Sequence, residues 1–243
     1  MRFIVRTIGK KMNLFSKLLA VSIMGISSSV FAQSAFQGFY GQIGVGYENN
    51  SPSTSSYAYN SSNDGSSLPV STSDSSKGSF SGAIGLGYGF SINNNFLLSL
   101  GADYSPLKAN TGKTTDEAGF NYNYQIANRT NIFLAPGYVI DKDKLAYFKA
   151  GYSQQTMKMQ NYLTPNGTAF GNGGSNPSNT LRGYVLGLGY KQLLSQNIYL
   201  FGEGNYYNYG NQSYTSLYAN GFADTFNAKA TAYQFLVGVG YKF

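Results

Sequence analysis

Four charged residues interrupt apolar, alternating stretches of this 243-residue chain: Asp103, Arg129, Lys149 and Glu203. Two carboxylates and two cations in such places have two chemical uses. They can pair as salt bridges out of contact with water, or the carboxylates can move protons as an acid and a base. The rest of the sequence gives catalysis no support. There is no histidine, the side chain whose ordinary pKa best suits it to activate a serine or a water near neutrality. A Ser-His-Asp arrangement is therefore impossible. There is no cysteine either, which excludes disulfides, thiolate metal sites and a lipidated N-terminal cysteine. No catalytic residue is assigned, and no enzymatic activity is expected.

Three short motifs look like ligand sites and fail on spacing. Asn110–Thr115, "NTGKTT", contains Gly-Lys-Thr. A phosphate loop needs a further glycine five positions before Gly112, where Leu107 stands, and a helix afterwards. "GLGYG" at Gly85–Gly89 lies inside a strand pattern and lacks the last glycine of a dinucleotide fingerprint. "DKDK" at Asp141–Lys144 is too short for a calcium loop, lacks its terminal acid, and reads as a turn. No cofactor and no metal site is expected.

The elements that carry the four charges come from a repeated pattern. "IGVGY" begins at Ile43, "IGLGY" at Ile84, "LGLGY" at Leu186 and "VGVGY" at Val237. Period two means strand, with one apolar face and one nearly bare. Glycine weakens a strand in water. A closed barrel gives it a use, because the apolar face can meet lipid while the glycines point into a narrow interior. Eight such segments are expected: Gly38–Glu48, Phe80–Phe90, Phe96–Tyr104, Phe120–Ile140, Leu145–Thr156, Leu181–Lys191, Ile198–Tyr207 and Thr231–Phe243. Short connections (Ser91–Asn95, Asp141–Lys144, Gln192–Asn197) alternate with long polar ones (Asn49–Lys77, Ser105–Gly119, Met157–Thr180, Asn208–Lys229). That asymmetry suits a membrane barrel with short periplasmic turns and long outer loops. Tyr47, Tyr104, Tyr152 and Tyr206 fall at one end of the strands, and Tyr88, Tyr138, Tyr190 and Tyr241 at the other. Two aromatic girdles at the lipid boundaries are the expectation. Polar loops and interior explain a mean hydropathy of −0.23 in a membrane protein.

The N-terminus reads separately. Arg2, Arg6, Lys10, Lys11 and Lys17 precede the apolar run Leu18–Ile26, and Val30 and Ala32 stand at −3 and −1 of a cleavage site before Gln33. This is a secretory signal over residues 1–32, too short to span a membrane, leaving a single domain over residues 33–243. Met12 is an alternative start that would leave a complete signal. Removing the signal takes five of the 17 bases, so the pI near 9.3 is not a nucleic-acid footprint.

Phases that send apolar residues to lipid put Asp103, Arg129, Lys149, Glu203 and Lys242 inside. A charge on the lipid face at mid-bilayer would cost about 2–4 kcal/mol. The four central charges are expected to pair across a tight lumen, as a plug or as a gate.

The segments resemble the small eight-stranded outer-membrane barrels of Gram-negative bacteria: the OmpA transmembrane domain, OmpX and the opacity-type proteins. The motif that carries the resemblance is the last strand, with Tyr233, Phe235, Val237, Val239, Tyr241 and Phe243 on one face. In that family a C-terminal strand ending in phenylalanine is read by the barrel assembly machinery. The resemblance implies an all-β antiparallel barrel in the cell outer membrane, in contact with its lipid and lipopolysaccharide, monomeric, and without nucleic acid. Enzymes among outer-membrane barrels resemble one another in using a catalytic histidine, which this chain lacks. The expectation is an envelope protein whose four loops meet a host or surface ligand. A small channel for ions or solutes and a dedicated adhesin or immune-evasion protein stay open. The first loop, rich in serine, is expected to be mobile, and Tyr57, Tyr59, Tyr162, Phe170, Tyr214 and Tyr218 are candidate contact anchors.

Overall fold

The computed structural model describes residues 34–61, 67–70, 76–115, 119, 121–163, 166–167, 178–217 and 222–243. The expected signal segment, its cleavage point at Ala32 and Gln33, and the loop residues Phe170 and Tyr218 lie outside them. In chain order the strands are β1 (Gly38–Ser61), β2 (Ser67–Val70), β3 (Lys77–Ser91), β4 (Phe96–Ser105), β5 (Ala109–Asn110), β6 (Thr114–Thr115), β7 (Asn121–Asp141), β8 (Lys144–Leu163), β9 (Ser178–Leu193), β10 (Ile198–Leu217) and β11 (Phe222–Lys242). Eight of them form a ring in the order β1-β3-β4-β7-β8-β9-β10-β11, every neighbour antiparallel, and β11 pairs back onto β1. Closure removes the unpaired strand edges that a membrane would penalise.

Alternation sorts the side chains as the sequence pattern requires. Ile43, Val45, Ile84, Leu86, Leu188, Val237 and Val239 are exposed on the outer wall. Gly44, Gly87, Gly189 and Gly240 fall on the inner phase, where they make room for rings. A Cβ at Gly189 would lie 2.1 Å from Tyr147 Cζ, and one at Gly240 2.1 Å from Tyr199 Cζ. A Cβ at Gly44 would lie 2.8 Å from Phe201 Cζ, and one at Gly87 2.5 Å from the Tyr40 hydroxyl. The interior is thus an interlock of small and large residues, filled by side chains rather than hollow. Both girdles form. Tyr47, Tyr104 and Tyr152 are exposed at the loop end, and Tyr138, Tyr190 and Tyr241 at the turn end. Tyr88 and Tyr206 are half-buried under neighbouring rings, Phe39 at 4.7 Å and Tyr233 at 5.1 Å.

One expectation changes. The long connections are not loops from the aromatic belt upward. β1 stays paired with β11 as far as Ser61↔Phe222, and β10 with β11 as far as Leu217↔Ala223. Much of the serine-rich first connection is strand, and Ser67–Val70 pairs back onto β1 through Tyr57↔Val70. A polar strand needs no apolar burial of its own when its backbone groups are satisfied by a ladder already anchored below. Tyr57, Tyr59, Tyr162 and Tyr214 lie in these extensions. The segment before β1 folds under the barrel, with the Gln37 N–H donating to the Ser34 carbonyl (3.0 Å). Phe36 is buried there against Leu97, Val139 and Leu145. Asp141–Lys144 is the expected turn. The Lys142 backbone N–H and then the Lys144 charge hold the Asp141 carboxyl below the usual carboxylate range. Among the described residues no acidic cluster could hold a metal.

Candidate functional site

The interior side chains build in layers between the two ends. Near the turn end lie Tyr40, Tyr199, Phe201 and Leu236. At the loop end Tyr122, Tyr124, Ile126, Met157, Leu181, Val185, Tyr207 and Tyr209 pack into one buried cluster. The irregular segment after β4 seals it, since the Thr111 N–H donates to the Tyr124 carbonyl (2.8 Å) and the Tyr124 N–H to Thr111 Oγ1 (2.9 Å). Charged side chains occupy the level between.

The four central charges are all buried, with Asp103 8%, Arg129 2%, Lys149 1% and Glu203 6% exposed, while Lys242 is half-buried. Lys149, on β8, reaches Asp103 of β4 (2.7 Å) and Glu203 of β10 (2.9 Å). Its ammonium also lies 4.3 Å from the centre of the Phe133 ring. Glu203 accepts from the Tyr147 hydroxyl (2.7 Å) and from Asn205 Nδ2 (2.8 Å), and Asn131 Nδ2 donates to Asp103. Three of the four predicted residues therefore meet.

The fourth does not join them directly. Arg129, on β7, pairs with Glu48 of β1 at 2.7 Å. It also donates to Asn50 Oδ1 (3.0 Å) and Gln155 Oε1 (3.0 Å), and its guanidinium lies 4.3 Å from the centre of the Tyr207 ring. Glu48 further accepts from Asn50 (2.7 Å), Ser81 (2.9 Å) and Gln234 (3.2 Å). Gln234 and Asn205 bridge the two ion-pair groups, because Asn205 Nδ2 donates to Gln234 Oε1 at 3.2 Å. The result is one hydrogen-bonded network across the barrel, with each charge desolvated and each paired, which is the condition for burying it.

Glu48 and Lys191 were missed from the predicted site. Both stood as terminal residues of expected strands, yet their parity was readable. Glu48 shares the phase of Tyr40, Gly44 and Gly46, and Lys191 that of Gly187 and Gly189. The last strand presents Tyr233, Phe235, Val237, Val239, Tyr241 and Phe243 outward, each exposed between 47% and 76%. Phe243 lies just past β11, and its N–H donates to the Phe39 carbonyl (2.9 Å).

A closed ring of eight antiparallel strands with a lipid-facing wall and a polar, filled interior agrees with a comparison by family. The description "Outer membrane protein beta-barrel domain" matches residues 18–243. This chain belongs to that family. It is an outer-membrane β-barrel protein. Among solved structures, OprG from Pseudomonas aeruginosa superposes with a TM-score of 0.54 at 11% identity, covering 85% of this chain and 97% of OprG. Ail, the attachment invasion locus protein of Yersinia pestis, was solved with the heparin analogue sucrose octasulfate. It gives a TM-score of 0.43 at 14% identity over 85% of this chain and 99% of its own. The outer membrane protease OmpT of Escherichia coli gives 0.48 at 10% identity over 89% and 100%. No curated protein matches this barrel in sequence.

Proposed function

We propose that this barrel is a non-enzymatic envelope protein with a plugged lumen, acting through the strand extensions and loops it raises above the outer aromatic belt. The observation that carries this reading is the continuous network from Asp103 and Lys149 to Glu48 and Arg129, capped by the buried tyrosine cluster at the loop end. Two cavities near the turn end hold about 10 Å³ each, on the order of one water. Opening a path would mean breaking buried ion pairs and displacing packed rings together. Histidine and cysteine are absent, and the interior carboxylates that could act as bases are engaged by cations and amides.

With the lumen filled, contact with other molecules falls to the outer wall and the extensions. Lipid and lipopolysaccharide meet the apolar wall, the assembly machinery meets the C-terminal strand, and a host or surface ligand meets the paired extensions of β1, β10 and β11. The test is single-channel conductance of the protein purified in folded form, in a planar bilayer. Silence is expected. Steady openings that change with Lys149 or Glu203 substitution would overturn the reading in favour of a pore.

A further inference from the structure

One buried cation is left outside the network. Lys191 is 7% exposed, and among the described residues its ammonium has no ion pair and no hydrogen bond. It lies among three rings instead, 3.9 Å from the centre of Tyr40, 4.7 Å from Tyr199 and 5.5 Å from Tyr147. Ring faces stabilise its charge but leave its three N–H donors without acceptors, and a buried donor without an acceptor is costly.

Both small cavities touch this residue. The first is also lined by Glu203 and Gln42, so its surroundings already hold a carboxylate. The second, at the turn end, is lined by Lys191, Lys242, Ser99, Tyr40, Tyr199 and apolar side chains, with no acid among its lining residues. Lys242 is half-buried and shares the inward phase of Gly238 and Gly240. Among the described residues Glu48, Asp103 and Glu203 pair with Arg129 and Lys149 inside the barrel, while Lys191 and Lys242 border a cavity with no acid in its lining.

We infer that Lys191 and Lys242, with the Ser99 hydroxyl, form a site for a small monovalent anion of chloride size at the turn end of the lumen. The cavity's 10 Å³ is on the scale of one water or one monatomic ion. The ion supplies Lys191 with an acceptor and a counter-charge. Phe36, Leu97 and Leu193 line the same cavity. This site is independent of whether the lumen conducts.

The test compares urea unfolding of the folded barrel in sodium chloride and in sodium gluconate at matched ionic strength. Wild type should show an unfolding midpoint that rises saturably with chloride. Lys191→Met, which keeps the apolar stem and removes the charge, should lose that rise. Lys242→Gln should weaken the chloride dependence without removing it. Equal midpoints in both salts for wild type would overturn the site and leave water as the occupant. An undiminished chloride response in Lys191→Met would overturn it as well. Should Lys191→Met fail to fold, chloride NMR line broadening on wild type decides. Broadening that bromide competes away supports the site, and its absence overturns it.

Discussion

Arg129 and Lys149 are both deeply buried cations, but their ion pairing differs, and the difference predicts unequal consequences for two carboxylates. Lys149 has two acids, Asp103 and Glu203. Arg129 has one, Glu48, together with two neutral amides. Glu48→Ala leaves a guanidinium that is 2% exposed with no counter-charge in contact, and Asn50, Ser81 and Gln234 lose an acceptor. Breaking a buried pair from one side costs about 3–5 kcal/mol. Glu203→Ala leaves Lys149 still paired with Asp103, so the loss should be nearer the about 1–3 kcal/mol of stranded hydrogen-bonding groups. Removing both partners in Glu48→Leu/Arg129→Met takes away the unpaired charge and should recover most of the single-variant loss. The assay is reversible urea unfolding in detergent or lipid vesicles, followed by circular dichroism because the chain has no tryptophan. The reasoning is refuted if Glu48→Ala loses no more than Glu203→Ala, or if the double variant is as unstable as Glu48→Ala.

Two further outcomes follow from packing and exposure. Gly189→Val should destabilise by about 1–3 kcal/mol, because its Cβ would meet the Tyr147 ring and push that hydroxyl away from Glu203; the same urea titration reads it, and an unchanged midpoint would show the ring has room to move. Phe243→Ala removes a side chain that points out of the barrel and touches none of the interior network, so the purified barrel should still fold, while its yield in the outer membrane should fall; normal yield on quantitative membrane blots would count against an assembly role.

The fold was legible because a membrane barrel writes one rule into every strand. Apolar residues alternate with small or polar ones, so the parity of Ile43, Val45 and Tyr47 fixes where Gly44, Gly46 and Glu48 must point. Inward burial of Asp103, Arg129, Lys149 and Glu203 followed from the same rule. Which charge pairs with which did not, because partners across a lumen depend on relative register and strand tilt, and parity contains neither. Hence Glu48, the acid that holds Arg129, and Lys191, set among rings, were visible as residues and not as members of a site. The extended β1, β10 and β11 were hidden for a different reason. Their outer halves are polar on both faces, and period two disappears once no lipid is present to select it.

The closing seam has a consequence for how the chain is made. β1 and β11 join the two ends of the barrel sequence, pairing Tyr40 with Lys242 and Ser61 with Phe222. Contacts so distant along the chain are slow to form and cannot begin while translation is under way. Until the last strand arrives, β1 and its neighbours present an open sheet whose backbone groups lipid cannot satisfy. The edges are satisfied from within the chain only once these two strands meet. Until then any route to the membrane has to keep the edges of β1 and β11 covered.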